Sequence, residues 1–195
     1  MNKAKFTILN IVIVLLLFMN VKIASAHWWL YPPLLTYPAP FHWDATGNPL
    51  FLSVQNTASR WAEANAAIDD WDRNTILGLV KVSWHGHIEV LDGNYGPTQW
   101  GGVAEPSAAW TTHCWTWCHI SHMHTKYNSY YGGTGGTGTW SDIRGIFCQE
   151  IGHAFGLNHS NTGDCMGKGY YNNVNVTSAH NWSDINAYLP GGAHP

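Results

Sequence analysis

The chain has 195 residues, with 9 Lys and Arg against 12 Asp and Glu, a formal net charge of −3, and 12 histidines. That length fits one domain with a short extension, and 45% hydrophobic residues is too many for a disordered chain. Charged residues make up only 11%, and the acidic balance excludes a nucleic-acid binder, which needs a basic stripe; the 12 Trp and 20 Gly point to a loop-rich, aromatic-rich protein of the secreted kind.

Lys3 and Lys5 precede an apolar run from Phe6 to Phe18, and the small-x-small signal Ala24-Ser25-Ala26 follows. This reads as a secretory signal peptide, residues 1–26, cut after Ala26. The run is too short for an ordinary membrane-spanning helix, and no other stretch is apolar enough to span. Cys114, Cys118, Cys148 and Cys165 all lie beyond the cut. An even count in an exported chain favours two disulfides over a four-cysteine zinc site. Three connectivities are possible; Cys114–Cys118 with Cys148–Cys165 closes the shortest loops.

Residues 27–49, from His27 to Pro49, are rich in Pro and aromatics, and Pro32, Pro33, Pro38 and Pro40 forbid regular helix. An irregular arm across the domain of residues 50–195 is expected. Leu50 to Gln55 reads as a first strand. Ser59 to Arg73 has helical spacing, with Trp61, Ala64, Ile68 and Trp71 on one apolar stripe and Thr57 or Ser59 as a cap. Leu77 to Ser83 and Ile88 to Leu91 are strand-like, punctuated by turns at Asp92-Gly93-Asn94 and Tyr95-Gly96-Pro97. Gly101 to Ala104 is a further short strand, and His119 to Asn128 the next extended segment. Gly132 to Gly138 is a flexible Gly/Thr loop. A second helix is predicted from Asp142 to about Phe155, capped by Ser141 and ended by Gly156, since glycine readily adopts the left-handed conformation there. Thr177 to Leu189 reads as a last helix, stopped by Pro190-Gly191-Gly192.

The stretch that carries chemistry is Cys148-Gln149-Glu150-Ile151-Gly152-His153-Ala154-Phe155-Gly156-Leu157-Asn158-His159-Ser160. Positions 149 and 153 are four apart and share a helix face. Gly156 turns the chain so that His159 can swing back to the same point. Three side chains can then converge on one metal, with a fourth position left for water and Glu150 beside it as general base. Glu150, His153, Gly156 and His159 resemble the extended zinc motif H-E-x-x-H-x-x-G-x-x-H of the metzincin peptidases. Met166, in Asp164-Cys165-Met166, stands where the family's Met-turn would form a hydrophobic floor. At lower specificity, Ala66 to Trp71, Tyr127 to Tyr131 and Ser183 to Tyr188 are similar to parts of bacterial, matrixin-like members. No cysteine-switch propeptide motif is seen.

The resemblance implies an α+β fold: a twisted mixed sheet with two long helices, the second carrying the zinc motif, and a C-terminal helix after the Met-turn. It implies a secreted zinc-dependent endopeptidase, monomeric, acting on polypeptide, with Glu150 catalytic and Gln149, His153 and His159 at the zinc. By the same likeness, substrate would lie extended along an edge strand, with the region around His119 to His124 as the upper rim of the cleft. Gln149 departs from the motif, which has histidine there. A glutamine offers only a neutral carbonyl oxygen, a weaker zinc donor than imidazole. Two readings follow. Gln149 Oε1 completes the site, or the site is degenerate and the chain is a catalytically weak relative that binds a peptide or carbohydrate surface. His113, His119, His122 or His124 are possible substitute ligands.

Other features give other classes. His85-Gly86-His87 and His122-Met123-His124 place two histidines on one strand face. Each pair could hold a second, structural metal, but no carboxylate is matched to them, and exposed histidines on a polar face is the reading preferred. His27, as a new N-terminus, could chelate copper for oxidative chemistry. Trp28, Trp29, Trp43, Trp115 and Trp117 could stack on sugars, or pack the arm and loops onto a small core, which is preferred. Asn158, Asn175 and Asn181 lie in glycosylation sequons.

Overall fold

The structure is a computed structural model that describes residues 41–43, 50–107, 111–112, 118–132, 138–160, 163–167 and 175–188. The expected signal peptide, most of the arm, Cys114 and the middle of the Gly/Thr loop lie outside the described residues. The elements in chain order are β1 (Phe41–Trp43), β2 (Leu50–Asn56), α1 (Trp61–Asn74), β3 (Leu77–Val82), β4 (Ile88–Gly93), β5 (Gly102–Pro106), β6 (Thr111–Thr112), β7 (Cys118–Ile120), β8 (Met123–Asn128), α2 (Trp140–Ala154) and α3 (Ala179–Tyr188). The class is α+β. A five-stranded mixed sheet has the order β3-β2-β4-β8-β5, and a small second sheet the order β1-β7-β6.

In the large sheet β2 runs parallel to β3 and β4, and β4 parallel to β8. Only β5 is antiparallel, at the edge beside β8. Alternate residues, Leu50, Leu52 and Val54 of β2, Ile88 and Val90 of β4, and Met123, Thr125 and Tyr127 of β8, are buried. One face of the sheet therefore carries the core, and α1 and α2 pack on it and on each other. Ala64, Ile68 and Trp71 of α1 are buried, as the stripe predicts, but Trp61 is 63% exposed. It is the first helical residue and lies before the helix meets its partners.

The helix starts differ from expectation for identifiable reasons. Neither Thr57 nor Ser59 caps α1; its N-cap is Arg60, without a side-chain cap. The Asp92 carboxylate instead accepts the Ser59 N–H at 2.8 Å and the Arg60 N–H at 3.0 Å. A strand residue thus holds the N–H of the N-cap and of the residue before it, and Asp92 and Gly93 belong to β4 rather than to a turn. On α2 the cap is Thr139, not Ser141, because Thr139 finds a carboxylate three residues on: Asp142 closes a capping box with it, whereas Ser141 would find Arg144. His119 to Asn128 is broken at Ser121-His122 into β7 and β8, which join different sheets. Within the arm, β1 pairs in parallel with β7, so that stretch is not wholly irregular. Trp43 is buried, and its indole N–H donates to the Ala154 carbonyl at 2.9 Å, at the C-terminus of α2.

Helix α2 crosses α1 at Gly152. A Cβ there would lie 2.3 Å from Met166 Sδ and 2.8 Å from Trp71 Cζ2. The Trp71 indole N–H donates to the Cys148 carbonyl at 2.9 Å, and Cys148 is bonded to Cys165. This is one of the two disulfides expected. Gly152→Ala should destabilise the protein despite the roughly 1 kcal/mol that alanine gains in a helix, because overpacking of this kind costs about 1–3 kcal/mol and the Trp71 ring is rigid. Urea denaturation of the variant beside wild type measures it. Reduction of Cys148–Cys165, which closes a 17-residue separation, should remove about 3 kcal/mol.

Candidate metal centre

The C-terminus of α2 places the first pair of nitrogens. Gly156 has φ +94°, a conformation glycine adopts without strain. The Gly156 N–H donates to His153 O and the Leu157 N–H to Gly152 O, at 2.9 and 3.1 Å. These two bonds are the Schellman arrangement that ends a helix. They also bring the Leu157 carbonyl back over the last turn, 2.7 Å from His153 Nδ1. A carbonyl can only accept, so Nδ1 carries the proton and Nε2 keeps its lone pair. Nε2 of His153 lies 3.2 Å from Nε2 of His159, and the two rings stand edge to face.

That separation is what two ligands of one tetrahedral ion require. At zinc–nitrogen distances of about 2.0–2.1 Å, two tetrahedral ligands lie roughly 3.3 Å apart. His153 is buried, and burial pushes its pKa down to about 4 against the opposing hydrogen bond to Leu157, so the imidazole is neutral and available as a donor. A ligand histidine held by a carbonyl at its other nitrogen is the usual outer-shell arrangement. The residues present therefore fit a zinc ion.

Gln149 shares the helix face of His153 and is buried. Its amide Nε2 donates to the Gly167 carbonyl at 2.9 Å. That bond occupies the donor end of the amide and leaves Oε1 as the end free to act as a metal donor. Gly167 is held in turn by a tight network around Asp164. The Asp164 carboxylate accepts the Ser160 hydroxyl at 3.0 Å, the Met166 N–H at 2.9 Å and the Ser178 hydroxyl at 2.7 Å. The Ser160 N–H donates to Met166 O at 2.7 Å. Met166 itself is fully buried against Gly152, one residue from His153.

Glu150 is buried, and desolvation pushes its pKa up to about 8 while a backbone hydrogen bond from Ala104 pulls the other way. A Cβ on Gly102 would meet Glu150 Oε1 at 2.6 Å, so the bare backbone of β5 is what gives this carboxyl its space. The edge strand beside Glu150 is thus β5, not the region of His119 to His124 expected as the rim: β8 lies inside the sheet between β4 and β5.

His122 and His124 gather around Glu89 of β4, with His85. Among the described residues, His85, Glu89 and His122 present ligand atoms within 4.8 Å of one another. Glu89 is the carboxylate that the H-x-H pairs lacked in the sequence. His85 and His87 lie in the β3–β4 connection, ahead of β4; His85 turns to Glu89 at 2.8 Å, whereas the His87 ring bonds Ser53. His124 of β8 and His122, the residue before that strand, join Glu89 through strand pairing, which no local pattern reveals. Burial pushes the Glu89 carboxyl up, but the His85 hydrogen bond and the neighbouring His122 and His124 outweigh it and hold the pKa below the ordinary value. Desolvation lowers His122, against its attraction to Glu89. His27, His113, Trp28, Trp29, Trp115 and Trp117, and the side chain of His119, lie outside what the structure describes.

Residues 111–184 match the family model of peptidase M66. That span contains α2, His159, Met166 and most of α3. No curated protein sequence matches the chain. The solved structure of myroilysin is similar, with a TM-score of 0.41 and 10% identity over 59% of this chain and 52% of that one; the chain therefore spans about half the length of that protein.

The buried Glu150 makes a pH prediction for the metal-free protein. Its folded pKa of about 8 exceeds the ordinary 4.5, so its contribution is fully present below pH 4.5 and is lost as pH rises towards 8. His153 acts in the other direction and lower down, losing stability as pH falls from 6.5 towards 4. Between pH 6.5 and 8, metal-free wild type should lose stability relative to Glu150→Gln. Paired thermal melts across that window, with chelator present, read the difference.

Proposed function

We propose that the chain is a secreted zinc-dependent metalloendopeptidase of metzincin type, matrixin-like, in which Gln149 takes the place of the first histidine ligand. The carrying observation is the convergence of His153 Nε2 and His159 Nε2 at 3.2 Å, with the second nitrogen of His153 already committed to Leu157 O. The partial match to a peptidase family model over the same residues supports it.

In this reading Gln149 Oε1, His153 Nε2 and His159 Nε2 hold the ion. Zinc, when bound, polarises the scissile carbonyl and makes an attacking water more acidic. Glu150 takes the proton of that water and passes it to the leaving amine. A carboxyl with a pKa near neutrality suits both halves of that transfer, accepting in one step and donating in the next. Gln149 is kept in register by Gly167 O, and His153 by Leu157 O, so neither must be reorganised on binding. The peptide lies extended along the open side of β5 by strand addition. Export rests on the signal-like segment ending at Ala26, and the Cys148–Cys165 bond agrees with an oxidising compartment.

Elemental analysis and peptidase assays on wild type, Glu150→Gln, His153→Ala and Gln149→His test this. Wild type should hold one zinc that His153→Ala loses, beyond any bound elsewhere. Glu150→Gln should keep that zinc and lose about 10²–10⁴ in kcat/KM. Gln149→His should bind zinc roughly tenfold or more tightly, since imidazole is the better donor. If zinc-loaded wild type cleaves no peptide while Gln149→His does, the natural chain is a binding relative and not a peptidase.

A further inference from the structure

We infer that His85, Glu89 and His122, joined by His124, form a second metal site that takes a divalent first-row transition ion, with zinc the first candidate. It is separate in residues from the centre on α2 and does not depend on that reading.

The geometry is a carboxylate ringed by imidazoles. His85 Nδ1 lies 2.8 Å from Glu89 Oε1 and His122 Nε2 lies 3.5 Å from the same oxygen, while His124 Nε2 lies 3.4 Å from Oε2. Strand pairing fixes the frame: Glu89 of β4 and His124 of β8 are direct Cα partners. The His122 and His124 rings stand edge to face with centroids 4.8 Å apart. Three of the four groups are held in the fold, with side-chain exposures of 10% for His122, 15% for Glu89 and 26% for His124. His85 is the exception at 88%. It lies in the β3–β4 connection, and its exposed ring has room to close on an ion, which the ligand spacing of up to 4.8 Å requires.

The donor set selects the ion. Imidazole nitrogens with one carboxylate suit zinc, and also nickel, cobalt and copper, whereas calcium and magnesium prefer all-oxygen cages. One ion here would crosslink β4 to β8 on the sheet face opposite the helices. It would tie β4 to β8, the strand that carries β5, the edge beside Glu150.

The test uses the full chain carrying His153→Ala and His159→Ala, so that zinc bound at α2 does not contribute. After chelator treatment it is titrated with Zn²⁺ against a chromophoric competitor, with Mg²⁺ and Ca²⁺ as controls. One Zn²⁺ per chain is expected, with no response to Mg²⁺ or Ca²⁺. Adding His85→Ala, an exposed position whose loss does not threaten folding, should weaken binding by at least about tenfold, the loss that even an outer-shell partner causes. Adding Glu89→Gln should abolish it. Co²⁺ titration of the chain without the α2 substitutions gives a second reading, in which Glu89→Gln should remove one set of visible absorption bands. Absence of zinc from a folded His153→Ala/His159→Ala chain, or affinity unchanged by both His85→Ala and Glu89→Gln, overturns the proposal. Loss of peptidase activity with this zinc retained counts against the α2 reading alone.

Discussion

The bare Cα of Gly152 is the point on which the arrangement turns. It lets Met166 and the Trp71 ring press against α2 where any side chain would collide. Cys148, one helical turn earlier, lies on the same stripe and is bonded to Cys165. Thus one stripe of α2, at 148 and 152, is gripped by the 163–167 turn and by α1. The neighbouring stripe, at 149 and 153, is left to present polar atoms. The same turn then reaches across to that second stripe, where Gly167 O takes the Gln149 amide. Anchor and function are separated by one residue along the chain and roughly 100° around the helix.

Two glutamates, Glu150 buried and Glu89 half-buried, show how environment divides identical chemistry. Glu150 has a single backbone donor against complete desolvation, and its proton is held to about pH 8. Glu89 is only partly buried and has three imidazoles around it, and its proton is released more easily than usual. The first is suited to moving a proton, the second to accepting a cation. The difference comes from which strand faces each group: β5 offers Glu150 little beyond backbone, whereas β8 brings His122 and His124 to Glu89.

What was legible in the sequence was local. The spacing of His153, Gly156 and His159 already required a helix end and a reversal, and Gly156 supplies it with a positive φ. The strand of Leu50 and the helix of Ile68 and Trp71 followed from period alone. What was not legible came from partners distant in sequence. Asp92 caps α1 from 32 residues away. His122 turns the chain between two sheets because β7 and β8 find different neighbours. Glu89 meets His124 only through parallel pairing of β4 with β8. The edge position of β5 is likewise a property of strand order, which periodicity does not encode.

That edge has a consequence for the protein's behaviour in concentrated solution. A strand paired on one side only is a template for the strands of other copies, and the danger grows with length and flatness. Here β5 is five residues long and ends in Pro106, which can offer no N–H. Glu105 carries a charge at its exposed side and is tied to Lys126 of β8. These are the devices by which sheet proteins avoid edge-to-edge aggregation. Lengthening β5 or replacing Glu105 and Pro106 with apolar, β-branched residues would trade colloidal stability for a stickier edge.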